Sequence, residues 1–347
     1  VVRAAADVSE NAPVSRPRTL RRKLALGAGV TLAVLLASEG VARLVYRGRF
    51  PYEYVHDPEL GWAHRPNHTG VVRVGVEATF DARGLREERA IGPKQGRRVL
   101  VLGDSVAFGH GLGQHETIAR ALERRAPGLE ALNAGVPGYA TEQEVRYLAR
   151  LAPELEPDVV LLLFCLRNDL GVPPLDPVGV AKHLAPASRA QAWLFDHSAL
   201  AFAIGRALHR QAVRASREDA DAEPQFLPPD AFVALPEEAR AQELARVRER
   251  LAAFRDVARA HGARPLLVLC PEELLVANRV PRGLVLDPLL ALARELDLPA
   301  LDLLPALQPP SPVPLLSEKD GVHPTVAGAE RIAEALVPFL HANERAP

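Results

Sequence analysis

A parallel β-sheet with helices on both faces is the fold this sequence predicts, and three features carry the prediction. Short, almost wholly apolar runs recur at 98–102, 158–165 and 265–270, the pattern of strands buried on both faces. Segments of helical periodicity alternate with these runs. Serine and asparagine motifs then fall directly after two of the runs, at the strand ends where α/β sheets place ligands.

The chain has 347 residues and a formal net charge of -1, so it can bury a good-sized α/β domain and offers no global field for nucleic acid. Met is absent and the chain begins at Val1, so the start is expected to lie upstream or to be a Val codon. Residues 1–23 are polar and are expected to be disordered and cytoplasmic. The stretch 24–38 carries no charge. Arg16, Arg18, Arg21, Arg22 and Lys23 precede it; Glu39, Arg43, Arg47 and Arg49 follow. It reaches the roughly 20 residues of a membrane span only if helix continues to Val45 with Arg43 snorkelling to the far interface. We read 24–46 as a transmembrane anchor. The denser basic cluster precedes it, so the N-terminus faces the cytoplasm and the rest lies outside. A cleaved signal peptide and a buried amphipathic helix are the alternatives.

Residues 47–96 read as a linker with a small β element. Alternation over 69–80 suggests a hairpin, with its turn expected at 81–84. From 97 the rhythm is strand 98–102, helix 116–125, strand 129–133, helix 141–151, strand 158–165. A break at 171–236 is expected to be an insertion containing an apolar helix at 192–209. The rhythm resumes with helix 237–260, strand 265–270, helix 285–296, strand 300–303 and helix 325–340, closing a domain over 97–347. Cys165 and Cys270 end two apolar runs and are expected to be buried thiols, a bridge being the alternative. No Cys/His cluster suggests a metal.

Four motifs suggest ester chemistry: Gly103-Asp104-Ser105, the stretch from Asn133 to Gly138, Asn168-Asp169, and Asp320-Gly321-Val322-His323. Serine, histidine and aspartate are the parts of a nucleophile–base–orienter relay. Of the 11 histidines, His323 stands out because Asp320 precedes it by three residues and a helix start follows at Pro324. One ring nitrogen is expected on Asp320 and the other on Ser105. His110 and His115, though near Ser105 in sequence, are expected to point along their loop or to cap the next helix. Candidate oxyanion donors are the Ser105 amide, the Gly138 amide and the Asn168 side chain.

These blocks resemble the SGNH (GDSL-type) hydrolase superfamily over roughly 97–340. The resemblance implies a flavodoxin-like three-layer fold with a five-stranded parallel core. It also implies Ser105 as nucleophile, Asp320 and His323 as its partners, and Gly138 and Asn168 as oxyanion donors. Leu166 departs from the usual Gly-x-Asn-Asp of the third block, which bears on the loop carrying Asn168. The stretch Asp57-Pro58-Glu59-Leu60-Gly61-Trp62 and the triplet Gly84-Leu85-Arg86 look like a bacterial subgroup with one N-terminal membrane helix. The expectation is a single-pass protein of the bacterial cytoplasmic membrane with an outward-facing serine esterase domain. It would take small acyl esters of envelope carbohydrate and need no metal or organic cofactor. An acyltransferase to a glycan, a lysophospholipase or lipid esterase, and a non-catalytic scaffold are the alternatives.

Overall fold

The computed structural model describes residues 17–50, 53–72, 75–171, 189–218 and 227–344. Helix α1 (Pro17–Val45) opens it. It starts inside the stretch expected to be disordered, because Pro17 suits a first helical position and Arg21, Arg22 and Lys23 are good helix formers. Residues 1–16 lie outside the described residues. Leu20–Val45 forms a helix of mean hydropathy 1.8 with none of its apolar window buried, long and apolar enough to cross a membrane.

Two antiparallel hairpins follow: β1 (Tyr54–Asp57) with β2 (Gly61–His64), and β3 (His68–Val71) with β4 (Glu77–Phe80). The first reverses where the Asp57 carboxylate accepts the amides of Glu59 and Leu60. The expected turn at 81–84 is not the hairpin turn. The second hairpin reverses earlier, at Gly75, whose φ of 84° suits glycine. Residues 81–84 make a separate turn after β4, where Asp81 accepts the amides of Arg83 and Leu85.

The core sheet comprises β5 (Arg97–Gly103), β6 (Leu129–Gly135), β7 (Val159–Cys165), β8 (Arg264–Cys270) and β9 (Ala300–Asp302), all parallel, in the order β6-β5-β7-β8-β9. Every residue of β7 is buried, which explains its unbroken apolar run. On β5 the period of two is clear. Leu100 and Leu102 join a core with Leu148 of α4 (Thr141–Leu155), Phe254 of α9 (Glu237–Ala260) and Leu289 of α11 (Arg282–Glu295). Val99 and Val101 join the opposite core, with Leu122 of α3 (Ile118–Arg125) and Leu336 of α13 (Val326–Ala342). Each such side chain contributes about 1.5–3 kcal/mol on burial, so this pattern fixes which face each helix covers. The result is the expected three-layer α/β/α architecture.

The short helices α2 (Ser105–Phe108), α5 (Leu166–Asp169), α8 (Pro229–Ala234), α10 (Glu273–Val276) and α12 (Leu304–Leu307) were too brief to show a period. Where one helix was expected over 192–209, the described residues form two, α6 (Arg189–His197) and α7 (Ala199–Glu218). Ser198 divides them, its hydroxyl accepting the Ala201 amide as a new helix cap does. Cys165 and Cys270 are buried free thiols, opposite each other in register on β7 and β8.

Candidate active site

The sheet order reverses beside β5, so a crevice is expected at the carboxyl ends of β5 and β7. Ser105 stands there as the first residue of α2, immediately after β5. Asp104 caps that helix by accepting the Val106 amide at 2.8 Å. Beside it, Gly135 ends β6 so close to α2 that a Cβ would lie 2.1 Å from the Phe108 nitrogen. It is a close-packing glycine.

His323 arrives from the far end of the chain. Its Nε2 lies 2.8 Å from Ser105 Oγ, and its Nδ1 lies 3.0 Å from Asp320 Oδ2. With Nδ1–H donating to Asp320, Nε2 is left to accept the serine hydroxyl proton. The other Asp320 oxygen accepts the amides of Val322 and His323 at 2.9 and 3.0 Å. Burial would raise this carboxyl, but the His323 ring and these amides outweigh it and hold it at about 2. It is therefore ionised across the neutral range. Pro324 stands just before the helix, and Thr325 caps α13 by accepting the Gly328 amide at 3.1 Å.

The expectation for His110 fails. Its ring stacks on the His323 ring, with centroids 4.1 Å apart and planes 19° apart. The left-handed turn at Gly109, with φ of 83°, ends α2 just before His110. Only that turn, invisible as a spacing, brings the ring over.

Asn168 lies on α5, with Nδ2 donating to Asp104 Oδ2 and to the Tyr139 carbonyl at a long 3.4 Å. Leu166, in place of the family's glycine, is buried in the core and heads α5. Asp169 holds this helix in place. Its carboxylate accepts the Thr141 amide, the Thr141 hydroxyl and the Cys165 amide, each at 2.7 Å. Burial, reinforced by Asp169, pushes the Asp104 carboxyl up to about 7. Glu144 lies in the same interior with no hydrogen-bond partner for either carboxylate oxygen among the described residues. Burial pushes its carboxyl up too, consistent with a neutral acid there. Gly138 has a φ of 84°, and a Cβ there would come 3.3 Å from Trp62 Cζ2.

The two N-terminal motifs prove to be supports for these loops. Trp62 Nε1 donates to the Pro137 carbonyl at 3.2 Å, and the Tyr139 hydroxyl donates back to the Trp62 carbonyl. Arg86, 2% exposed, donates to the carbonyls of Phe108, Gly109 and Leu112 at 2.8, 3.0 and 2.7 Å. Its guanidinium also lies 4.5 Å from the Phe108 ring centroid. A cation at the carboxyl end of α2 thus ties down the serine's helix and the loop bearing His110.

The fold and the arrangement at this rim define a carboxylic ester hydrolase of the SGNH type. The comparisons agree: a family model described as GDSL-like Lipase/Acylhydrolase matches residues 101–331, and the chain belongs to that family. No curated protein matches it. Among solved structures it is similar to TesA (18% identity, 71% of this chain and 99% of that one, TM-score 0.43). It is also similar to the esterase EstA from Pseudoalteromonas sp. (14% identity, 71% and 97%, TM-score 0.40). A third likeness is to the acetyl xylan esterase AlAXEase (12% identity, 69% and 97%, TM-score 0.40). Among the described residues, no group of three or more His, Cys, Asp or Glu could hold a metal ion.

Proposed function

We propose that this protein is a membrane-anchored serine ester hydrolase whose nucleophile is Ser105. Its general base is His323, and Asp320 orients that base. The observation that carries this reading is the continuous chain from Asp320 through both His323 nitrogens to Ser105 Oγ, at 3.0 and 2.8 Å. Ser105 Oγ attacks the ester carbonyl carbon as its proton passes to His323 Nε2. The Ser105 and Gly138 amides and Asn168 Nδ2 donate to the oxyanion. Collapse expels the alkoxide, which takes the proton from the imidazolium and leaves an acyl-enzyme. Water, deprotonated by the same imidazole, then releases the carboxylic acid and restores Ser105.

Asn168 can serve because its amide has two hydrogens. Asp104 takes one, and the other is spent on the long contact to Tyr139, which an oxyanion would readily outcompete. We assign the substrate to small acyl esters, acetyl esters of envelope carbohydrate foremost. α1 is the anchor, with the domain on the outer side of the cytoplasmic membrane. The decisive experiment is fluorophosphonate labelling followed by mass spectrometry. An adduct is expected on Ser105, together with aryl-acetate hydrolysis that disappears in Ser105→Ala. Hydrolysis unaffected by that substitution would defeat the mechanism.

A further inference from the structure

The insertion is fastened to the outward end of α1 by contacts the ester chemistry does not use. The Glu39 carboxylate accepts the Ser198 hydroxyl at 2.8 Å and the amides of Ala199 and Leu200 at 3.0 Å each, closing the start of α7. One turn on, Arg43 pairs with Glu39 at 2.7 Å and donates to the His197 carbonyl at 2.9 Å. Above that, Phe202 of α7 meets the rings of Tyr46 and Phe50, with centroids 5.4 and 6.2 Å apart. Arg65 adds an ion pair to Asp196 at 2.6 Å.

This fastening sets a height. If α1 enters the bilayer near Leu24, just past Arg21, Arg22 and Lys23, and rises 1.5 Å per residue, it has crossed a hydrocarbon core of about 30 Å by about Arg43. The turn between α6 and α7, whose His197 carbonyl accepts from Arg43, then stands at the outer headgroup layer. What α6 exposes beside that turn fits the layer. Trp193 is 62% exposed and stacks on His197 at 4.5 Å; Leu194 beside it is 45% exposed. Exposed Arg47 and Arg49 lie just beyond the span, where lipid phosphates would meet them. Tryptophan at an interface gains because its ring is apolar and its N–H is polar.

The geometry points to the α6–α7 turn as a second membrane contact, with Trp193 seated among the phospholipid headgroups of the bilayer that α1 spans. This rests on the anchor reading above. A domain held by both a span and an interfacial foot cannot swivel freely on its tether, so its ester site stays at a fixed height and tilt.

The chain has two tryptophans, and Trp62 is buried at 1% exposure, so the wild-type emission minus that of Trp193→Phe isolates Trp193. The full chain is reconstituted into phosphatidylcholine–phosphatidylglycerol vesicles, with or without lipid brominated near the headgroup. Bromolipid is expected to cut the Trp193 emission about twofold, while aqueous acrylamide loses most of its access. Trp193→Phe should hydrolyse a soluble aryl acetate as the wild type does. If the chain floats with the vesicles but Trp193 is untouched by bromolipid and open to acrylamide, the foot is overturned and the anchor stands. A chain that does not float with vesicles overturns both.

Discussion

The Arg86 guanidinium donates to the Phe108 carbonyl at 2.8 Å, joining the N-terminal β element to the end of the helix that begins with Ser105. Two further carbonyls, of Gly109 and Leu112, complete the clasp, and the loop they belong to lays His110 on His323. Replacing Arg86 by Gln leaves at least one of these buried carbonyls unpaired. Hydrogen bonds to charged groups contribute about 1.5–3 kcal/mol each, so a loss of roughly 3 kcal/mol in denaturant unfolding is expected. In the fraction that remains folded, kcat should fall with KM little changed. Full wild-type kcat in Arg86→Gln would show that the clasp does not reach the site.

Asp320 is expected to matter through His323 rather than through substrate. Asp320→Asn keeps the shape but removes the charge that faces the imidazolium and favours the wrong ring tautomer. A fall of roughly 10³–10⁴-fold in kcat is expected, measured on a short aryl ester at neutral pH with the fold checked by circular dichroism. A fall of less than about tenfold would assign Asp320 to capping its own loop, where its other oxygen already accepts two amides.

For Asn168, replacement by Ala should lower kcat by about 10²–10³-fold while KM changes little, because the lost donor acts on charge present only in the transition state. Asp104→Asn should mimic part of that loss, since it sets an amide where the Asn168 amide now finds an acceptor. An Asn168→Ala enzyme altered only in KM would place that side chain in substrate binding instead.

Stability should respond to pH in a direction set by burial. Glu87 and Asp104 are each raised by burial to about 7, above unfolded values of about 4.3 and 3.9. Their contribution is complete below those unfolded values and is lost as pH rises through about 7. Asp320, held at about 2, has the opposite sign: its contribution is present above about 4 and is lost as pH falls through 2. Buried His64, pulled down to about 3, opposes them below about pH 6.5, so thermal unfolding midpoints should decline most clearly between pH 6.5 and 8, with a shallower decline in Glu87→Gln. A midpoint that climbs from pH 6.5 to pH 8 would contradict this account.

Local sequence carried the sheet and the four blocks. A run such as Val159–Cys165 is so apolar that it has one physical use, a strand buried on both faces, and its end fixes where Asn168 must emerge. Asp320 and His323 were readable as a pair because the three-residue spacing lets one loop aim both side chains the same way. The single helix expected over 192–209 failed at Ser198, because whether a serine caps a helix or sits within it depends on what meets the chain end, here Glu39.

What the sequence determined by itself, then, was chemistry written in short range: apolar period, strand-end motifs, and the residue types of a relay. Tertiary structure alone decided what is joined across long separations. Trp62 reaches Pro137, Arg86 reaches Leu112, Asn168 reaches Asp104 and His110 lies over His323. The physical reason is that a local pattern specifies which face of an element is apolar and where its chain turns. A hydrogen bond between distant segments depends on how whole layers pack, and no spacing along the chain records that.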